Sequence, residues 1–228
     1  MDQTLALALN EMKKYRIDAD WVLEPELPSF EIRFSNGKGL IAAPGPLELL
    51  YGVYDFAERF GGYTFFEPGR DRFDPERKTK PSDGIAVGAR KPLLKRRGFI
   101  QEFPFNDETP DLFDWMAKNK LNYLLVWMKY YDRLPDGLKE AAAVRGIEIE
   151  SGHHNFDYWI PGAKYGKTHP GFFAEIGGKR IDPSGGKSAL LLSEQLCTTN
   201  PELRAEIVKN MVEYCGKHPE IKTISLIP

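Results

Sequence analysis

The stretch "DLFDWMAKNKLNYLLVWM", from Asp111 to Met128, reads as an amphipathic helix followed directly by an apolar run typical of a buried strand. "KRRGFI" precedes it as a strand, and "DGLKEAAAVR" and "GIEIESG" follow it as a helix and a strand. Strands about 25 residues apart with a helix between them are typical of βα units in a parallel sheet or barrel. A further helix, with Asn200 as its cap and Pro201 in its first position, leads to "IKTISLIP" as a fourth strand.

This pattern predicts an α/β protein in which residues 92–228 form the first half, about four βα units, of a TIM-type (β/α)8 barrel. Residues 1–91 are predicted to form a small α/β domain. It begins with a helix, continues with "FEIRFS" and "GLIAA" as a hairpin across Asn36–Gly37, and adds a helix from Pro46 and "YTFFEPG" as a buried strand. The charged, Pro- and Gly-rich stretch from Arg70 to Pro92 is predicted to be irregular, and the Gly-rich residues 177–188 are predicted to form a loop.

Composition excludes several classes of function. The 31 basic and 33 acidic residues leave a formal charge of -2, so no overall field attracts nucleic acid or an anionic membrane. The N-terminus has no basic segment followed by an apolar one, and no apolar run reaches the roughly 20 residues that span a bilayer. We therefore expect a cytoplasmic protein with a small neutral or weakly charged ligand. Of the two cysteines, Cys215 is predicted to be a core residue. It continues the four-residue apolar spacing of Leu203 and Ile207 on one face of the helix that starts at Pro201.

Polar and aromatic side chains follow the predicted strands at their carboxyl ends, where the loops of a parallel barrel form its functional face. Aromatic, imidazole, amide and carboxylate groups together suit a polyhydroxylated ligand, whose apolar faces stack and whose hydroxyls need polar partners. The predicted ligand-binding residues are Glu102, Trp127, Lys129, His153, His154, Asn155 and Asp157. No catalytic residue is assigned, since the carboxylates present cannot be paired from sequence, and no nucleophile elbow or phosphate-binding loop occurs.

The adjacent histidines, His153 and His154, leave three alternatives open. A shared metal ion is disfavoured because neighbouring residues in extended structure point in opposite directions and no third ligand is spaced for it. The pair could instead be a packed and a solvated imidazole without a ligand. Contact with a ligand is favoured, because the pair directly follows a strand. No metal and no organic cofactor is predicted.

Several stretches resemble a bacterial family of uncharacterised proteins related to α-glucuronidases and β-hexosaminidases. "GPLELLYGVYDFAERFGGYTFFEPG" resembles the end of the small domain that precedes the barrel in those enzymes. The barrel stretches are "KRRGF", "DLFDWMAKNKLNYLLVW", "RGIEIESGHHNFDYWIP", "HPGFFAEIGGKR" and "LCTTNPELRAEIVKNMVEYCGKHPEIKTISL". The resemblance covers nearly the whole chain. It is most specific in the histidine loop and in "CTTNPELR".

The resemblance implies a glycosidase-like barrel that acts on or binds a carbohydrate, with His153 and His154 as sugar contacts. In those enzymes the general acid lies at or just after the end of strand four, and here strand four ends at Pro228. We therefore expect a truncated or split glycoside hydrolase-like chain that is inactive alone, whose open barrel edge invites self-association. The alternative is a non-catalytic carbohydrate-binding or assembly protein. A sugar-phosphate isomerase barrel is disfavoured, because its phosphate site comes from later loops.

Overall fold

The computed structural model describes residues 2–102, 104–185 and 195–226. The chain is a mixed α/β protein. Its helices and strands in chain order are α1 (Gln3–Lys14), β1 (Ala19–Leu23), β2 (Glu31–Ser35), β3 (Lys38–Ala43), α2 (Pro46–Arg59), β4 (Tyr63–Glu67), β5 (Arg70–Phe73), β6 (Gly84–Val87), β7 (Gly98–Gln101), α3 (Thr109–Lys118), β8 (Tyr123–Trp127), α4 (Met128–Tyr131), α5 (Asp136–Val144), β9 (Glu148–Gly152), α6 (Phe156–Trp159), α7 (Gly162–Tyr165), β10 (Glu175–Ile176), β11 (Lys179–Arg180) and α8 (Pro201–Lys217).

The chain divides into two compact units built from interleaved segments. The first comprises Met1–Gly98, Phe105–Tyr123 and Pro135–Glu148, and the second comprises Phe99–Pro104, Leu124–Leu134 and Ile149–Pro228. The predicted division at residue 91 stays a prediction. No helix within the described ranges is both long and apolar enough to cross a membrane.

The first unit is organised around a four-stranded sheet of order β1-β3-β2-β6, in which β1 and β3 run parallel and the other neighbours antiparallel. The predicted hairpin across Asn36–Gly37 is confirmed: both residues have positive φ angles, 52° and 74°, as the favoured two-residue turn requires. Helix α2 packs closely on β3, and Gly52 makes this approach possible. A Cβ atom at position 52 would lie 2.6 Å from Ile41 Cγ2.

Parts of the first unit differ from the prediction. Strand β1 was not predicted, and the stretch predicted to be irregular contains β5 and β6. All four residues of β5 are exposed and it pairs with β4 through the backbone, so no apolar alternation marks it in the sequence. The strand "YTFFEPG" exists as β4, but it is not buried throughout, because Phe66 is 75% exposed.

The second unit holds most of a three-stranded sheet of order β7-β8-β9. Of the predicted fourth strand, residues 221–226 are described and Ile227 and Pro228 lie outside the described residues. Ile224 forms an isolated parallel bridge with Ser151 of β9, supported by backbone hydrogen bonds from Ser151 N to Thr223 O and from Ser225 N to Ser151 O, both 3.3 Å. The described residues therefore align beside β9 without forming a continuous strand.

Helix α8 begins as predicted, because the Asn200 side chain accepts hydrogen bonds from the backbone N–H groups of Glu202 and Leu203. The prediction that Cys215 is a core residue is wrong: Cys215 is exposed, and Tyr214 is buried instead. Each step of four residues turns a helix about 40° past a full turn, so three such steps from Leu203 carry the position about 120° off the inner face.

Of the predicted Gly-rich loop, residues 179–180 form β11 and residues 186–188 lie outside the described part.

Candidate functional site

The candidate site lies in the second unit, where β8 and β9 end. Trp127 is the last residue of β8, and α4 begins at the next residue. Strand β9 ends at Gly152, which is followed by His153, and His153 has a left-handed backbone with φ 64°. Such a conformation in a non-glycine residue costs free energy, and it turns the chain sharply at this position.

Ser225 supports this turn from beside β9. Its hydroxyl accepts a hydrogen bond from the backbone N–H of His153 at 3.2 Å. Gly152 leaves room for it, since a Cβ atom at position 152 would lie 1.7 Å from Ser225 Oγ. The backbone carbonyl of Ser225 also accepts a hydrogen bond from Asn155 Nδ2 at 2.6 Å. The segment around residue 225 therefore fixes both ends of the histidine turn.

Four rings, those of Trp127, Tyr130, His153 and His154, form what we call the ring cluster. His153 stacks on Trp127 with the centroids 5.4 Å apart and the planes 18° from parallel. Tyr130 also stacks on Trp127, at 5.8 Å and 18°. His154 is nearly perpendicular to His153, with the two centroids 4.5 Å apart. The ammonium of Lys129 lies 3.9 Å from the Trp127 centroid, a cation–π contact.

Glu102 reaches the ring cluster through His153. Its Oε1 atom lies 3.5 Å from His153 Nε2, while its own side chain is 62% exposed. Burial lowers the pKa of His153 and the neighbouring His154 lowers it further, whereas Glu102 opposes this shift only in part. His153 is therefore neutral at pH 7. A neutral imidazole that presents Nε2–H to a carboxylate keeps Nδ1 as an acceptor.

Two ring nitrogens of this cluster lack a hydrogen-bond partner. Trp127 Nε1 and His153 Nδ1 are both buried, and neither is bonded to any group in the described part of the chain. Buried polar atoms are nearly always paired, so each unpaired one needs an explanation. The indole nitrogen can only donate, and the imidazole Nδ1 accepts in the tautomer argued above. A hydroxyl group can serve either atom, because it both donates and accepts.

The structure brings five of the seven predicted residues together: Glu102, Trp127, Lys129, His153 and His154. Asn155 lies beneath them, 1% exposed, with its amide directed to Ser225 O and to Met128 Sδ at 3.5 Å. Asp157 lies half-buried in α6 and makes none of the cluster's contacts among the described residues. That these residues bind a ligand stays a prediction.

The left-handed backbone at His153 brings the two histidine rings together. The expectation that adjacent side chains point in opposite directions is therefore not met here. The third ligand is still missing: the described residues contain no group of three or more His, Cys, Asp or Glu side chains that could hold a metal ion. Two supporting residues, Ser225 and Asp132, were not predicted. Ser225 bonds His153 across 72 positions of sequence, and Asp132 bonds Tyr158 across 26 positions, and no local pattern marks such contacts.

The model of a family described as a domain of unknown function (DUF4838) matches residues 66–227. No curated protein matches the sequence.

Solved structures that match this chain include glycoside hydrolases at low identity. A β-N-acetylhexosaminidase from Bacteroides fragilis is 15% identical with a TM-score of 0.48, over 88% of this chain and 43% of that one. A family 20 exo-β-N-acetylglucosaminidase from Vibrio harveyi, in complex with N-acetylglucosamine, is 12% identical with a TM-score of 0.46, over 67% and 31%. A family 89 glycoside hydrolase from Clostridium perfringens is 14% identical with a TM-score of 0.41, over 64% and 24%. The chain thus spans less than half of each of these proteins.

Proposed function

Because the chain belongs to the family of the domain of unknown function DUF4838, whose description names no activity, we propose its function from the site itself: the ring cluster and Glu102 bind a carbohydrate. The observation that carries this proposal is the pair of unpartnered nitrogens, Trp127 Nε1 and His153 Nδ1, within one ring cluster. Sugar hydroxyls supply both the acceptor and the donor that these atoms lack.

Each group of the site has a role in this proposal. The Glu102 carboxylate accepts hydrogen bonds from sugar hydroxyls, and the Lys129 ammonium, which lies 3.9 Å from the Trp127 centroid, donates one. His153 provides a neutral imidazole whose Nδ1 accepts, and His154 holds the His153 ring in place through their edge-to-face contact. Asn155 stabilises the turn at His153 through its hydrogen bond to the backbone carbonyl of Ser225. Asp157, which follows in α6, is proposed to reach the ligand only if the ligand extends beyond one sugar ring.

We further propose that residues 92–228 form about four βα units of a glycoside hydrolase-like barrel behind a small α/β domain of residues 1–91. The strand order β7-β8-β9 and the parallel bridge between Ser151 and Ile224 support this arrangement. In this proposal the family is related to α-glucuronidases and β-hexosaminidases, and the chain supplies the sugar-binding part of a hydrolase. A cytoplasmic location and self-association through the open edge are part of the same proposal.

Isothermal titration calorimetry with N-acetylglucosamine and with glucuronic acid tests the proposed function. We expect saturable binding of at least one of them. Glu102→Gln keeps the size of the side chain and removes its charge, so a charged hydrogen bond becomes a neutral one. We expect an affinity roughly 10-fold lower, the scale of one charge-assisted hydrogen bond.

The matched control is Glu140→Gln, because Glu140 is an exposed carboxylate of α5. It should leave both the affinity and the stability unchanged. Absence of binding to both sugars by the unaltered chain at millimolar concentration, or an equal affinity for Glu102→Gln, would contradict the proposal. Binding without any release of sugar from a glycoside would assign the chain a non-catalytic carbohydrate-binding role.

A further inference from the structure

A single carboxylate, that of Asp132, connects three helical segments of the second unit. Asp132 caps the carboxyl end of α4. Its Oδ2 atom accepts a hydrogen bond from the hydroxyl of Tyr158 in α6 at 2.6 Å, and its Oδ1 atom accepts one from the hydroxyl of Tyr214 in α8 at 2.9 Å. Both oxygens are therefore engaged, each by a different element.

Both tyrosine hydroxyls stay donors to this carboxylate. Burial raises the pKa of each hydroxyl, and the adjacent Asp132 raises it further, so both stay protonated donors at every physiological pH. Their rings meet edge to face, 5.7 Å apart and 86° from parallel. Hydrogen bonds to a charged acceptor are shorter and stronger than those between neutral groups, which agrees with the 2.6 Å separation.

The Asp132–Tyr158 bond spans the two segments that build the candidate site. Asp132 lies three positions after Lys129 and two after Tyr130, in the segment that follows β8. Tyr158 lies four positions after His154, in the segment that follows β9. The ring cluster itself joins the same two segments at their beginnings, through the stacking of Trp127 on His153. The Asp132–Tyr158 hydrogen bond is a second contact between the same two segments, further along both of them, and it restricts how far the segments can separate.

We propose that Asp132 is a positioning residue for the carbohydrate site: it holds the segment after β9 against the segment after β8, so that His153 keeps its place on Trp127. This inference rests on the proposed function. The Asp132 side chain bonds Tyr158 and Tyr214, and it acts on the ring cluster through Tyr158. The Tyr214 hydroxyl donates to the same carboxylate from α8, while its ring contacts the rings of Tyr158 and Trp159. Tyr214→Phe keeps these ring contacts and removes only the hydrogen bond from α8, which makes it the matched comparison.

Amide hydrogen exchange of the whole chain, measured by mass spectrometry, tests without any ligand whether the Asp132–Tyr158 hydrogen bond holds the two segments together. Asp132→Asn turns one acceptor oxygen into a donor, and Tyr158→Phe removes the hydroxyl while keeping the ring. We expect faster exchange over residues 153–158 in both variants, with denaturation midpoints close to that of the unaltered chain. Tyr214→Phe should accelerate exchange in α8 and leave residues 153–158 nearly unchanged. Equal exchange over 153–158 in Asp132→Asn and the unaltered chain overturns the inference, as does an equal effect of Tyr214→Phe.

Affinity for N-acetylglucosamine and glucuronic acid adds the functional test. For a sugar that the unaltered chain binds, we expect Asp132→Asn and Tyr158→Phe to bind about tenfold more weakly, and Tyr214→Phe to bind as before. An unchanged affinity in Asp132→Asn overturns the positioning role and leaves the proposed function standing. If the unaltered chain binds neither sugar, the proposed function fails, and the exchange experiment alone decides whether Asp132 holds the two segments together.

Discussion

Replacing Lys118 with methionine is expected to destabilise the protein by about 3 to 5 kcal/mol, the usual cost of removing one partner from a buried ion pair. Lys118 is 5% exposed, and its ammonium lies 2.7 Å from Asp71 Oδ1 and in contact with Asp114 Oδ2. Methionine is nearly as long as lysine but removes the cation that Asp71 and Asp114 share. Of the described cations, Asp71 then keeps only Lys14 at 3.2 Å, and Asp114 keeps only Arg145 at 3.6 Å. Urea denaturation of both forms at pH 7 measures the difference.

The effect of Lys118→Met should depend on pH in a defined direction. Burial acts to raise the pKa of Asp71, but hydrogen bonds from Lys118 and Tyr15 and the charges of Lys118 and Lys14 outweigh it and hold the pKa below its usual value. A carboxyl group whose pKa is depressed by folding stabilises the folded state above its unfolded pKa, and this stabilisation is lost as the pH falls through the folded pKa. The difference between the two proteins should therefore shrink below about pH 4.

Lys217→Met is the control for this experiment, because Lys217 pairs with Glu213 at the surface, where both side chains are more than half exposed. Exposed pairs contribute little, so no measurable change in stability is expected. Equal stabilities for Lys118→Met and the unaltered chain at pH 7 would show that the buried cluster does not depend on its cation.

Substituting Gly152 with alanine is the second change with a large expected effect, and it acts on the candidate site. The added Cβ atom would lie 1.7 Å from Ser225 Oγ, 2.9 Å from Ser225 Cβ and 3.1 Å from Ser225 N. The backbone beside β9 must move away, so the hydrogen bond from His153 N to Ser225 Oγ breaks. We expect a loss of about 1 to 3 kcal/mol from this overpacking, together with loss of sugar binding.

Ser225→Gly offers a direct check on the cause. It removes two of the three close contacts of the new Cβ atom, so the double variant should be more stable than the sum of the two single losses predicts. Urea denaturation of the four proteins gives this coupling. Simple additivity of the two losses would mean that Ser225 is not the obstacle.

Local sequence patterns predicted much of the secondary structure. Apolar runs marked β8 and β9, and Pro46, Pro201 and Asn200 marked the starts of α2 and α8, because caps and first-turn prolines depend only on neighbouring residues. Strand β5 was not predicted, because its exposed residues show no apolar alternation and it forms by pairing with β4. Cys215 was misplaced because a four-residue spacing drifts around a helix.

The sequence predicted most of the residues of the candidate site, but it did not predict the residues that hold them in place. Residues directly after strands could be named because such positions gather at one edge of a sheet. The left-handed turn at His153 depends on a hydroxyl 72 positions away, and the tie at Tyr158 depends on a carboxylate 26 positions before it. Contacts across such separations are set by packing, and a single sequence carries no periodic signal for them.

The central claim is that a carbohydrate completes the hydrogen bonding of the ring cluster. The most direct measurement is a nuclear magnetic resonance titration of the ¹⁵N-labelled chain with N-acetylglucosamine and with glucuronic acid, following the indole N–H signals. Trp127→Phe assigns the signal of interest, and Trp21, which lies in the first unit, serves as the internal reference. We predict that the Trp127 Nε1–H signal shifts saturably while the Trp21 signal stays in place. A Trp127 signal that does not move with either sugar would contradict the account.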